Sequence, residues 1–414
     1  NIVCDVPALR FPEFTDEWKR IKVSDLLDFY STNSLSWEQL EYEPNEPYNL
    51  HYGLIHVGLP TLIDLTKDKL PSIKNGNVPK KYELCKEGDV AFADASEDTN
   101  EVAKVVEFYN LGGKKVVCGL HTIHGRNNNG QTAKGFLGYC FSSTVFHNQI
   151  RRIAQGTKIY SINTRNFSEV FVGLPRRREQ QKIATLLRLI DERIATQNKI
   201  IEKYESLIQA MCDTLIGKEE QQVMLSFNEF GQSYSGLSGK SADDFGEGYP
   251  YITYMNVYQN QIIDSTDIGL VKINETEQQS VVRYGDILLT LSSETPEEVG
   301  MGAVYLGETY PMYLNSFCFG IHITDESKIY PPFLAYYVSS QSFRKAVYPL
   351  AQGSTRFNLQ KSDFMKKRFS FPVIEKQRKI YSILKAYSDK LIVEKLIMRL
   401  LCNQKCYLLR QLFI

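Results

Sequence analysis

The 414-residue sequence has no C-x-x-C pair, only two tryptophans, no run of 18 apolar residues and no net charge, with 48 Lys and Arg against 48 Asp and Glu. Each absence removes a class of protein. Without a long apolar run no membrane span is expected, and no signal peptide is visible. The eight cysteines (Cys4, Cys85, Cys118, Cys140, Cys212, Cys318, Cys402, Cys406) are scattered, so neither a zinc site nor a disulfide framework is expected. Buried, reduced thiols in a cytoplasmic protein are the simpler reading. Zero net charge removes the global basic field of many nucleic-acid binders, although a local patch remains compatible with it. The chain opens on Asn1 rather than Met, so the numbering is expected to begin inside the natural chain.

What the sequence does have is a repeat. After Pro175 apolar residues step by four and three: Ile183, Leu187, Ile190, Ile194, then Ile201, Tyr204, Ile208, Met211 and Leu215, with the polar Gln197 as the one break. That is the a/d seam of a coiled-coil helix. A second seam follows Pro372: Ile380, Leu384, Tyr387, Leu391, Glu394, Met398, Leu401, Lys405, Leu408 and Leu412, each 197 positions after its counterpart. The same offset relates Gly88-Asp89-Val90 to Gly285-Asp286-Ile287, Ala154-Gln155-Gly156 to Ala351-Gln352-Gly353, and Gln180 to Gln377. The register is ungapped from residue 136 to 187. Phe11-Pro-Glu-Phe14 resembles Phe227-Asn-Glu-Phe230 at an offset of 216, which implies about 19 extra residues in the first copy before Gly88.

Strand-like runs precede each seam: Tyr48–Val57, Val90–Ala93, Val116–Leu120 and Phe136–Phe141, then Tyr249–Val257, Ile287–Leu291 and Ser316–Ile323. Short amphipathic helices are expected around Ser143–Ala154 and Pro332–Ala346. The fold class is therefore α/β (α+β), with two tandem mixed α/β domains, each followed by a long helix. The expected boundaries are 1–174, 175–217, 218–371 and 372–414. Each helix would be on the order of 55 Å long at about 1.5 Å per residue. Packed antiparallel, the two form a spacer with pseudo-twofold symmetry. Such a device suits duplex DNA read at two half-sites a set distance apart. The same geometry also serves a coiled-coil arm that only holds protein partners.

Particular residues narrow the choice. The opening Val6-Pro-Ala-Leu-Arg-Phe-Pro-Glu-Phe14 with Trp18, Gly236-Leu-Ser-Gly-Lys240 with Asp243-Asp-Phe245, the Gly-Asp strands, the Ala-Gln-Gly repeats and the Leu-Pro…Glu-Gln junction at 174–180 resemble specificity subunits of type I restriction-modification systems. The resemblance covers essentially the whole chain. The second junction departs from it, with Lys376 where the family usually has Glu, which reads as a swapped surface charge at a helix start. The resemblance implies a subunit that is not an enzyme and carries no cofactor. Two target recognition domains would each read half of an asymmetric bipartite site in double-stranded DNA. The helices would set the unread gap and dock two methyltransferase subunits, and in the full complex restriction subunits join them.

Candidate contacts follow. The loops after the Gly-Asp strands, 94–104 and 292–301, offer Ser96, Thr99, Asn100, Lys104, Ser292, Ser293 and Thr295, with Glu97, Asp98, Glu294 and Glu298 as acceptors for cytosine N4. After each Ala-Gln-Gly come Thr157 with Lys158, and Ser354, Thr355 and Arg356 with Asn358, a hydroxyl and a cation suited to phosphate or simply a turn. Arg126 and Asn128 suit guanine and adenine, but Asn-Asn-Gly is also ordinary turn chemistry. Helix pairing is expected at Ile183, Leu187, Ile190, Ile194, Ile201, Ile208, Leu384, Tyr387, Leu391 and Met398. Four further features carry no chemistry. Tyr330-Pro-Pro-Phe333 resembles the N-P-P-F loop of adenine methyltransferases but has no carboxamide, so a turn before a helix is expected. Gly236–Ser241 lacks the first P-loop glycine. His121 and His124 point to opposite faces of a strand-like run, so a metal pair is not expected and no metal is assigned. Arg176-Arg-Arg178 at the first helix start oppose the macrodipole and read as a solvated face.

Overall fold

A computed structural model describes residues 6–217 and 220–414. Cys4 and the start of the expected second domain at Lys218 lie outside them. The chain divides into two compact units, Asn1–Asn198 with Leu396–Ile414, and Lys199–Lys395, so that each holds part of both long helices. These helices are Arg177–Gly217 and Ile374–Gln411. Among the described residues no helix is long and apolar enough to cross a membrane.

The first unit is built on a five-stranded sheet ordered Asp28–Tyr30, Thr122–Arg126, Val90–Ala93, Val105–Asn110 and Leu62–Asp64. Val90–Ala93 is buried on both faces, and strand alternation splits it between two cores. Val90 and Phe92 pack with Phe141, Phe146 and Phe167 beneath the helices Phe136–Phe141 and Thr144–Ile153. Ala91 and Ala93 pack with Leu50, Ile55, Val116 and Cys118 beneath a second, four-stranded sheet. The second unit repeats the frame with four strands: Gly231–Ser235, Cys318–Ile323, Ile287–Thr290 and Gly302–Val304.

Within each unit the long helices run antiparallel. In the first, Ile183, Leu187 and Ile190 share a core with Leu408, Leu412 and Phe413, and Asp191 pairs with Lys405 at 2.6 Å. In the second, Cys212 and Ile216 pack with Ile380 and Leu384, and Glu205 pairs with Lys395 at 2.7 Å. Ile208 and Leu384 are buried, and Ile194, Ile201, Tyr387, Leu391 and Met398 are half-buried on helices that are otherwise mostly exposed there. The polar seam positions Gln197 and Glu394 are buried too.

The elements differ from expectation in four places. Phe136–Phe141 is a helix, not a strand. An all-apolar run has no period to read, and Glu107 decides the matter by accepting from the N–H groups of Gly135 and Gly138 at the helix start, at 2.5 and 2.8 Å. Tyr48–Val57 and Tyr249–Val257 each turn from strand into helix, at His51 and Thr253, whose side chains cap the new helix. Pro332–Ala346 is two helices, because Ser340 caps a second start. Finally, Leu174 faces Lys19 while its counterpart Phe371 faces Val223, which displaces the first strands by 204 residues. Phe11–Phe14 is therefore not the counterpart of Phe227–Phe230. Its rings lie under the Lys182 ammonium at the start of the first long helix.

Candidate nucleic-acid interface

Each Gly-Asp turn precedes the central strand of its sheet, and its aspartate is buried. Asp89 accepts from the Lys86 N–H, from His124 Nε2 at 2.7 Å and from Arg126 Nε at 2.9 Å. Burial opposes charge on Asp89, but the hydrogen bonds from His124 and Arg126 outweigh it and hold the carboxyl below its ordinary range. Asp286 accepts from the Arg283 N–H, from Tyr234 Oη at 2.7 Å and from His322 Nδ1 at 2.9 Å. Burial beside the Asp286 charge pushes the Tyr234 hydroxyl well above its ordinary pKa, so it stays a donor.

These anchored strands launch the loops expected to touch DNA. In the first unit Ala95–Ser96 pairs antiparallel with Tyr160–Ser161, which brings the 94–104 loop beside the turn carrying Thr157 and Lys158. In the second, Ser292–Ser293 pairs with Phe357–Leu359, which in turn pairs with Ala351–Gln352. The 292–301 loop thus lies beside Ser354, Thr355, Arg356 and Asn358. Two segments about 60 residues apart in the sequence meet in the same way in both units. Thr157, Lys158, Ser354, Thr355, Arg356 and Asn358 are exposed.

Gly156 and Gly353 have φ of 138° and 133°. A Cβ there would collide with the carbonyl oxygens of Ile159 and Arg356, so the glycines serve the turn itself. In the second unit a cavity of about 390 Å³ opens between the two segments, lined by Arg356, Ser292, Ser293, Tyr254, Met255 and Phe317 among others. Phe317, at 59 % exposed, and Tyr254, which donates to the Ser292 carbonyl, were not singled out by the sequence. Only the fold brings them to these loops. A cation, hydroxyls and open aromatic edges are the groups that hold phosphate and read bases.

Other expected contacts are already engaged. Arg126 is the clear correction: it is buried, and its guanidinium is taken up by Asp89, Glu83 and the Leu84 carbonyl, leaving nothing to offer guanine. Lys104 binds Glu101 and the His56 carbonyl. Asn128 is exposed but donates to Asp28 and Tyr30. Asn100 is exposed and accepts from Arg151. Ser96 and Thr99 are half-buried, as is Ser292, while Ser293 is buried and Thr295 is exposed. Among the acceptors, Asp98 closes its own turn onto Asn100, and Glu298 holds Tyr258 and Ser293. Glu97 and Glu294 stay exposed.

The remaining features resolve locally. Glu179 is buried rather than a surface charge, held by Arg10 at 2.7 and 2.8 Å and by the Trp18 indole. Tyr330 immediately precedes a helix that begins at Pro331 and makes no side-chain cap. Lys240 is buried against Glu277. Arg176 pairs with Asp16, and Arg177 donates to the Gly130 carbonyl. His121 is exposed and His124 buried.

Comparison with known proteins agrees with the resemblance read from the sequence. Residues 229–400 match the family model described as the type I restriction modification DNA specificity domain. The S subunit of a type I restriction-modification system from M. genitalium has the same fold, with 18 % identity, 99 % of each chain covered and a TM-score of 0.55. So has a chain from a structural study of complex assembly and conformational transition of the type I R-M system, with 15 % identity, 95 % of this chain and 96 % of that one covered, and a TM-score of 0.59. No curated protein matches the sequence.

Proposed function

We propose that this chain is a type I specificity subunit that reads an asymmetric bipartite site in double-stranded DNA and performs no chemistry itself. Residues 1–174 and 218–371 are the two target recognition domains, each reading one half-site. Residues 175–217 and 372–414 form the spacer that sets the gap between the halves and docks two methyltransferase subunits. Those subunits would supply adenine methylation, and restriction subunits would join them in the full complex, in the cytoplasm.

The observation that carries this reading is the duplicated meeting of loops. In each unit the loop after the Gly-Asp strand lies against the turn after Ala-Gln-Gly. Exposed Lys158 and Arg356 lie on these turns one register position apart, with Thr157, Ser354 and Thr355 beside them. The surrounding side chains differ between the units, as two readers of different half-sites require. Cations and hydroxyls at the edge position the backbone, and the loop side chains read the bases.

The test is methylation mapping by single-molecule sequencing in a host expressing the chain with its methyltransferase partner. A split motif is expected, with one modified adenine on each strand and a fixed gap. Inserting one heptad after Ile194 should change the gap and leave both half-sites intact. Lys158→Ala and Arg356→Ala should each weaken binding across sequences and lower the salt slope by about one. A stable co-purifying complex that leaves no new modified motif would overturn the reading in favour of a protein-only scaffold.

A further inference from the structure

Behind the sheet of the first unit, three chain segments bring two thiols and an imidazole together. Cys118 ends the strand Val116–Cys118. Cys85 lies alongside it, with its N–H donated to the Val116 carbonyl at 2.8 Å, and its Sγ is 3.5 Å from Cys118 Sγ. His124 comes from the neighbouring strand Thr122–Arg126. The ligand atoms of Cys85, Cys118 and His124 all lie within 4.8 Å of one another, and all three residues are buried.

The imidazole supplies the second observation. Its Nε2 is committed to Asp89 at 2.7 Å, whereas its Nδ1 is buried with no hydrogen-bond partner. A proton held on Nε2 by the carboxylate leaves the Nδ1 lone pair free, which is the arrangement of a metal-ligating histidine with its supporting carboxylate. We propose that Cys85, Cys118 and His124 bind a thiophilic divalent cation, zinc(II) being the best match. Two thiolates and one divalent ion sum to zero, as does the adjacent Asp89–Arg126 pair, so the buried charge is balanced. A monovalent ion would leave a buried negative charge. Binding releases the two thiol protons and ties together three segments separated in sequence. Among the described residues the second unit has no equivalent, since Val282, Leu314 and Gly320 stand at the positions of Cys85, Cys118 and His124.

The full chain, reduced and stripped of metal, is titrated with cobalt(II) and followed by the thiolate-to-cobalt absorbance band. Saturation at one equivalent is expected, with displacement by zinc(II). The band should vanish in Cys85→Val, which copies the second unit, and in Cys118→Ser, with circular dichroism of both variants unchanged. It should persist when the exposed Cys402 and Cys406 are both replaced by Ser. No saturable band in the reduced wild type overturns the proposal, as does an undiminished band in folded Cys85→Val. A Cys85–Cys118 disulfide in the isolated protein, with no cobalt band after reduction, overturns it as well.

Discussion

The buried aspartates of the two units sit at one point of one frame and are satisfied by different side chains. Tyr30 faces His124 across the sheet of the first unit, and Tyr234 faces Gly320 across that of the second. Where the facing residue is His124, the imidazole takes Asp89 Oδ2 and Tyr30 is left to accept from Asn128. Where it is Gly320, the Tyr234 ring covers the glycine and its hydroxyl takes Asp286 Oδ2. Arg126 and His322 then fill the same role at Oδ1. A second exchange occurs at the helix behind the sheet. Glu107 satisfies the N–H groups of Gly135 and Gly138, while its counterpart Val304 is apolar and Pro332, in the place of Gly135, has no N–H to satisfy. What the copies share is a set of polar groups that must be satisfied, with the satisfying residue free to change.

The sharpest way to break this comparison is to neutralise the two carboxylates. Asp89→Asn leaves the buried Arg126 charge with only the half-buried Glu83 carboxylate as its ionic partner and should cost the first unit about 3 to 5 kcal/mol. Asp286→Asn turns one accepting oxygen into an NH2 donor, so the hydrogen bond from either Tyr234 or His322 is lost, and it should cost about 1 to 2 kcal/mol. Urea unfolding of the full chain, with hydrogen exchange resolved by unit, measures both. Equal losses would mean that the ionic character of the first site is irrelevant. The Asp89 carboxyl is depressed, so its contribution is complete above the ordinary aspartate pKa and is lost as the pH falls through its lower folded value.

Glu107 gives the opposite sign. Complete burial raises its carboxyl to about 7 from an ordinary 4.5, against the pull of the Gly138 and Gly135 amides. The folded state therefore binds the extra proton between those values, and first-unit stability should fall by about 3 kcal/mol as the pH rises from 4.5 through 7. Glu107→Gln keeps an acceptor for the helix start and should flatten that slope. Hydrogen exchange of residues 133–141 at pH 5 and pH 8 reads the difference. An unchanged slope in the variant would assign the pH dependence to another group.

Much of this frame is legible in the sequence because it rests on periodicity and register. The seams, the Gly-Asp turns and the ungapped block from 136 to 187 need only spacing to be found. What is hidden depends on contacts between distant segments. Arg126 looks like a reader of guanine until Asp89 and Glu83 claim it. Glu179 looks like a helix-start charge until Arg10, 169 residues earlier, closes on it. Cys85, Cys118 and His124 have no motif spacing at all. The 216-residue offset at Phe11 misleads for a related reason: two aromatic residues flanking a Pro-Glu or Asn-Glu pair are a local likeness, and only the strand register places the true correspondence at 204.

The smallest expected difference between the units is at the glutamines of the two helix starts. Gln180 accepts from the Ala133 N–H at 2.7 Å and donates to the carbonyls of Gln131 and Pro175. Gln377 accepts from the Tyr330 N–H at 2.8 Å and donates to those of Lys328 and Pro372. Every partner is 197 positions from its counterpart, and every partner is backbone. That explains why this side chain is identical in both copies while those around the aspartates are not. A backbone N–H and two carbonyls ask for the same amide whatever residues carry them. Gln180→Ala and Gln377→Ala should each cost about 2 kcal/mol, and the two losses should agree within about 0.5 kcal/mol. Paired urea curves of the single variants test this. A gap above about 1 kcal/mol would show that the side chains of Ala133 and Tyr330, and not their main chain, set the strength of the junction.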